Sequence, residues 1–243
     1  MDTKNPNAKN ILMVVANPAV SKMTRWPIGF WWSELTHPYW EFIQRGHNVT
    51  IVSPKGGDLE ADGYSDPEHE SGYSAHDFLS LGFKKSKEHA TLLKSTQSIS
   101  DVDPKDYDAI FVIGGQSPMY TMANDENLHK LFAKFYESKK VAAAVCHGTV
   151  ILLKTKTSDG KLLIERKKWT GFSNAEEDIA DKAVGQRIQP FRIEDEAKKI
   201  QDTTFVVAPP FSSYAVADGN LITGQQQYSG AETARLVLKY LEK

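Results

Sequence analysis

The chain has a single cysteine, Cys146, in 243 residues. It has no second thiol for an internal disulfide, so a reducing compartment is the expected setting. No apolar stretch approaches the roughly 18 residues that span a bilayer. The polar opening 1–7 carries no apolar signal core, and the expectation is a soluble, cytoplasmic protein with no membrane partner. Charge of neither sign dominates. The 29 Lys and Arg stand against 31 Asp and Glu, a formal net charge of -2, so nothing draws the chain generally to nucleic acid. The short basic run Arg166-Lys167-Lys168 reads as a solvated hairpin tip. The sequence also lacks G-x-G-x-x-G, a P-loop and H-E-x-x-H, so no dinucleotide, phosphate cradle or catalytic zinc is expected. The expected cofactor and metal content is none.

What the sequence does contain is an uncharged run, Val141-Ala142-Ala143-Ala144-Val145, leading straight into Cys146-His147-Gly148-Thr149. Its composition is that of a strand buried on both faces of a parallel sheet. Gly148 relieves a tight turn, and the apolar residues after it suit a helix start. A thiol at such a corner stands in the positive field of a helix N-terminus. Free cysteine titrates near ~8.5, and the expectation is a lowered value here. Strand, nucleophile and helix in this order form the elbow of many hydrolases, with sulfur in place of oxygen.

Further strands are expected at 11–15, 48–52, 109–113 and 205–207, and a hairpin at 214–217 and 221–223 around Asp218-Gly219-Asn220. A second hairpin is expected from 162–164 and 168–171. Helices are expected at 36–45, capped by Thr36 with Pro38 in the first turn, and at 126–138, 175–184 and 231–241. Strand–helix alternation predicts an α/β fold, an open parallel sheet with helices on both faces and ligands at the carboxyl ends of its strands. The stretch 54–100 is longer than an ordinary connection and is expected to form a small cap or lid. Its histidines, His69, His76 and His89, are too widely spaced to suggest a metal site and suit surface or cap positions.

A catalytic thiol needs a base, a group that orients the base, and donors for an oxyanion. His147 adjoins the thiol. An acid for its far nitrogen is available in Glu176 or Glu177, and spacing alone does not choose between them. Glu34 ends an aromatic segment, Trp26-Pro27-Ile28-Gly29-Phe30-Trp31-Trp32-Ser33. A carboxyl there is poorly solvated, which raises its pKa, and when protonated it can donate a hydrogen bond to a thiolate. Gly115 frees an N–H for an oxyanion, and the elbow N–H of His147 supplies another.

These residues together resemble the DJ-1/ThiJ/PfpI superfamily, which shares the flavodoxin-like fold of class I glutamine amidotransferases, and within it the Hsp31-like branch. The resemblance rests on Ala143-Ala144-Val145-Cys146-His147-Gly148, on Glu34 followed by Leu35-Thr36-His37-Pro38, and on Phe111-Val112-Ile113-Gly114-Gly115-Gln116. Two further segments carry it, Thr170-Gly171-Phe172 leading to Glu177, and Asp218-Gly219-Asn220-Leu221-Ile222-Thr223-Gly224. It implies one domain over 1–243, the triad Cys146, His147 and Glu177 with Glu34 beside the thiol, and an oxyanion site at Gly115 and the His147 N–H. The implied activity is glyoxalase III chemistry, conversion of a 2-oxoaldehyde such as methylglyoxal to a 2-hydroxy acid without glutathione, in a homodimer. Two alternatives travel with the resemblance. One is a stress-linked holdase or oxidation sensor that binds unfolded clients through the aromatic segment, and the other is a cysteine peptidase or amidase. Two departures from the family pattern stand out: Thr149 replaces the proline of Cys-His-Gly-Pro, and Gln225-Gln226-Gln227-Tyr228 replaces the x-Asn-Pro that usually follows Thr223-Gly224.

Overall fold

The computed structural model describes residues 7–242, so the polar opening at 1–6 lies outside it. The chain begins with β1 (Asn10–Val14), two short strands β2 (Ala19–Val20) and β3 (Pro27–Ile28), helix α1 (Trp32–Gln44) and β4 (Asn48–Ser53). Short helices α2 (Phe78–Lys85) and α3 (Lys87–Thr91) precede β5 (Gln97–Ser98), β6 (Ala109–Val112), α4 (Pro118–Thr121), α5 (Glu126–Glu137) and β7 (Val141–Val145). The last part holds β8 (Lys168–Trp169), α6 (Asn174–Val184), α7 (Ile193–Ala197), β9 (Thr204–Phe205), β10 (Ala215–Asp218), β11 (Leu221–Gly224) and α8 (Gly230–Leu241).

A seven-stranded sheet runs in the order β10-β11-β7-β6-β1-β4-β5. Every pairing in it is parallel except the β10–β11 hairpin. Counted along the chain, the long parallel strands lie in the order 2-1-3-4-5, the flavodoxin-like arrangement. Alternation along each strand sorts side chains to two cores. Ile11, Met13, Phe111, Ala143 and Val145 face α1 and α8, against Leu35, Phe42, Val237 and Leu238. Leu12, Val14, Ile110, Val112, Ala142 and Ala144 face α5, against Leu128, Phe132 and Phe135. With both faces covered, a central strand has no solvent side, so its sequence is apolar throughout.

Three local expectations are corrected. Helix α1 begins at Trp32 rather than after Thr36, and Pro38 lies inside it. Thr36 is fully buried and donates to the Trp32 carbonyl at 3.0 Å instead of capping. Burial of Trp32 and Leu35 on the sheet extends the helix past the cap signal. The expected hairpin at 162–171 does not form. β8 pairs in parallel with β9, because the indole of Trp169 is fully buried and donates to Thr203 Oγ1 at 2.9 Å. The basic run is accordingly not a hairpin tip, and Lys167 Nζ pairs with Asp218 at 3.2 Å. After the cysteine, Cys146–Leu153 forms 3₁₀ turns rather than an α-helix.

Candidate active site

The sheet delivers Cys146 to the carboxyl end of β7, beside the loop that follows β6. The backbone at Cys146 is left-handed, with φ 56°. A non-glycine residue held there is strained, and such strain marks functional turns. Two features impose the turn. Thr149 Oγ1 donates to the Cys146 carbonyl at 2.6 Å. At Gly148 a Cβ would lie 2.8 Å from the Ile113 oxygen and 2.9 Å from that of Val112, so only glycine lets the turn press on β6.

Cys146 Sγ lies 3.5 Å from His147 Nδ1, and His147 Nε2 lies 3.0 Å from Glu177 Oε1. The imidazole stacks on Phe172, centroids 4.3 Å apart and planes at 24°. When Nε2 carries its proton and donates to the carboxylate, Nδ1 is left as the acceptor facing the thiol. The neighbouring acid, Glu176, is occupied elsewhere. It forms a capping box with Ser173, and its Oε1 accepts from the Phe211 N–H and from Gln225 Nε2, both at 2.9 Å. Helix geometry thus separates two adjacent glutamates that spacing left equivalent.

Glu34, in the first turn of α1, is fully buried. Neither of its carboxyl oxygens has a partner at good hydrogen-bond geometry. Burial pushes its pKa well above the carboxylate range and Asp62 adds to this, while the Cys146 thiol and the Gly114 N–H pull the other way. Burial thus favours the protonated form of the Glu34 carboxyl beside the sulfur. The room for this contact comes from Gly114, where a Cβ would collide with Glu34 Oε2 and lie 2.8 Å from Cys146 Cβ. Burial also pushes the Cys146 thiol up, opposed by the His147 N–H. The expected lowering by a helix N-terminus is therefore corrected: the turn is 3₁₀, Cys146 is 3 % exposed, and desolvation outweighs any field.

Gly115 has φ 105°, and a Cβ there would fall 2.6 Å from the Gly29 oxygen and the Trp31 nitrogen. It borders the same cavity as Cys146. All the expected site residues, Glu34, Gly115, Cys146, His147 and Glu177, therefore meet at one place. Asp62 was not expected. Its carboxylate accepts from the Gly29 N–H at 3.0 Å and the Gln116 N–H at 2.7 Å, clamping the loops on either side of Gly115. Burial raises it to about 7, against the pull of those two N–H groups. One acid among many in a polar stretch carried no signal of this.

The cavity over the thiol measures about 480 Å³. Two members of the aromatic segment, Trp26 and Trp31, border it, while Phe30 and Trp32 are buried in the sheet's core. The histidines of 54–100 serve packing and local bonds. His89 lies against Tyr39, Trp40 and Phe83, and His69 against Tyr64. Among the described residues no group of three or more His, Cys, Asp or Glu is placed to hold a metal ion, and no helix is long and apolar enough to cross a membrane.

Comparison with known proteins places the chain among relatives of the same fold. "Probable glutathione-independent glyoxalase hsp3103" of Schizosaccharomyces pombe is 30% identical, over 88% of this chain and 90% of its own. The Rapid Encystment Protein of Francisella tularensis has a structure that superposes with a TM-score of 0.85 at 31% identity, covering 96% of this chain and 99% of that one. The crystal structure of glyoxalase III from Candida albicans superposes with a TM-score of 0.78 at 26% identity, covering 96% and 97%. The family model for DJ-1/PfpI matches residues 29–240, from the turn before Glu34 into the last helix, and the chain belongs to the DJ-1/PfpI family.

Proposed function

We propose that this protein is a glutathione-independent glyoxalase, converting a 2-oxoaldehyde and water to a 2-hydroxy acid. The observation that carries the proposal is the relay Cys146–His147–Glu177 lining one cavity, with the buried carboxyl of Glu34 beside it. The names and structures of the relatives above point the same way.

In this reading His147 Nδ1 takes the thiol proton and the Cys146 sulfur adds to the aldehyde carbon. A C–S bond forms, and the carbonyl electron pair moves to an oxygen held by the N–H groups of Gly115 and His147. Protonation of that oxygen gives a hemithioacetal. His147 next removes the hydrogen from the former aldehyde carbon, giving an enediol, and a proton is delivered to the neighbouring carbon. The first carbon is oxidised to a thioester as the second is reduced to an alcohol, so the redox change closes within the substrate. Water hydrolyses the thioester, releasing the hydroxy acid and restoring the thiol. Glu177 orients the imidazole and steadies its protonated form. Glu34 donates to the sulfur whenever it is anionic. The chemistry needs no metal, nucleotide or glutathione.

The stretch 54–100 acts as the cap of a single domain in this scheme, supported by Tyr64 and Tyr73, which it contributes to the cavity. The holdase alternative has less support, because half of the aromatic segment on which it depends is buried.

The test is methylglyoxal consumption without glutathione, read with D-lactate formation, for wild type beside Cys146→Ser. Turnover is expected in wild type and a loss of at least about 10³-fold in the variant. A variant with wild-type turnover would remove Cys146 from the mechanism.

A further inference from the structure

The cavity is far larger than the substrate that names the reaction. Methylglyoxal has a handful of non-hydrogen atoms and carries only a methyl group beyond its two carbonyls. A space of about 480 Å³ is in the range that encloses much larger ligands.

The surplus space has a definite chemistry. Four rings form a continuous wall. Trp26 packs on Tyr64 at 5.6 Å, Tyr64 on Tyr73 at 6.5 Å, and Tyr73 on Trp31 at 6.0 Å. The same cavity is also lined by Ile179, Ala183 and Val184 of α6 and by Ile188 after it. Ile179 is 47% exposed and so has apolar surface at the cavity that a ligand can cover. Charge is as one-sided as shape. The ionisable acids at the floor are Glu34 and Glu177, and among the described residues no Lys or Arg lines the cavity. An anionic substituent would be desolvated there near Glu177 with no Lys or Arg to receive it.

We infer that the preferred substrate is a neutral 2-oxoaldehyde with a bulky apolar substituent, branched alkyl or aryl, which lies against the ring wall and the aliphatic side chains of α6. The inference rests on the glyoxalase reading. The carbonyl pair engages Cys146 and the oxyanion donors, and the substituent reaches outward along these side chains. A glutathione adduct, with its carboxylates, is excluded by the same electrostatics.

The experiment compares kcat/KM for methylglyoxal, isopropylglyoxal, isobutylglyoxal and the anionic carboxyethylglyoxal, without glutathione. Bulk makes the carbonyls of the alkyl series no more reactive, so a rise along it reports binding. One methylene in an apolar pocket is worth roughly 10–200-fold. Isobutylglyoxal is therefore expected to exceed methylglyoxal by at least about tenfold, with carboxyethylglyoxal the poorest. Ile179→Lys, at a half-exposed site that tolerates charge, is expected to compress the ratio of isobutyl to carboxyethyl substrate by about tenfold. Methylglyoxal proving the best of the neutral series, or a ratio unmoved by Ile179→Lys, would overturn the inference and leave the glyoxalase reading standing. No turnover of any member by folded, reduced protein would overturn both.

Discussion

Two regions meet over the thiol, one held by packing and the other by packing together with polar side-chain contacts. The carboxyl edge of β6 and β7 is positioned by packing. Residues Val141 to Val145 are all 0% exposed, and the turn that follows presses its glycine onto the main chain of β6. The connection 54–100 supplies Tyr64 and Tyr73 to the cavity and is held both by packing, with Leu59, Phe83 and Leu93 in the core, and by side-chain polar contacts. Asp62 clamps the Gly29 and Gln116 amides, Asp77 meets His37 Nε2 at 2.9 Å, and Tyr73 Oη accepts from Gln227 Nε2 at 3.2 Å. Packing spreads its free energy over many contacts and is insensitive to pH. A polar clamp concentrates it in a few groups, and one of them, Asp62, titrates near neutrality.

The contrast can be broken most severely at the elbow. Gly148→Ala places a methyl group against two main-chain oxygens that have no rotamer by which to yield. A loss of about 3 kcal/mol is expected, read as a lower urea midpoint at unchanged slope. A loss under about 0.5 kcal/mol would mean that the turn can shift away from β6.

Asp62→Asn tests the clamp with a smaller effect. The variant keeps one acceptor where two N–H groups need one each, and leaving a buried donor unpaired costs about 1–3 kcal/mol. The pH dependence is the sharper readout. Asp62 has a folded pKa of about 7 against 3.8 for an ordinary aspartate. Between these values the folded chain holds a proton that the unfolded chain has released. The stability this contributes is present below about pH 4 and is lost as pH rises to about 7. The advantage of wild type over the variant is therefore expected to shrink between pH 5 and pH 7 in thermal melts. Parallel curves would show that Asp62 ionises as readily folded as unfolded.

The smallest effect is expected from Tyr73→Phe. The hydroxyl's contacts with Gln227, at 3.2 Å, and with Tyr228 are lost and the ring wall is retained, so stability should fall by no more than about 1 kcal/mol. A larger loss in melts would show that this one hydroxyl, rather than the set of polar contacts, holds the connection in place.

Much of this molecule was legible along the chain, and the parts that were not share a cause. The central strands could be read because a strand covered on both faces must be apolar at every position. The 174–184 helix and the β10–β11 hairpin could be read because cap and turn residues act within a few positions of themselves. The 162–171 hairpin misled because Trp169 finds its strand partner about 35 residues later, at Phe205. Glu176 and Glu177 could not be separated by physics at the level of sequence, since what divides them is contact with Phe211, Gln225 and His147. The resemblance to a family assigned Glu177, and the helix geometry supplies a reason for the assignment.

By itself the sequence determined the α/β class, the strand that carries the thiol, and the pairing of Cys146 with His147. Each of these depends on neighbours in the chain. Only the tertiary structure decided which acid reaches the histidine, that Asp62 holds the loops around Gly115, and that burial raises the thiol's pKa where its place after a strand had suggested a lowered one. Desolvation is a sum over every group packed around an atom, and most of those groups come from distant parts of the chain.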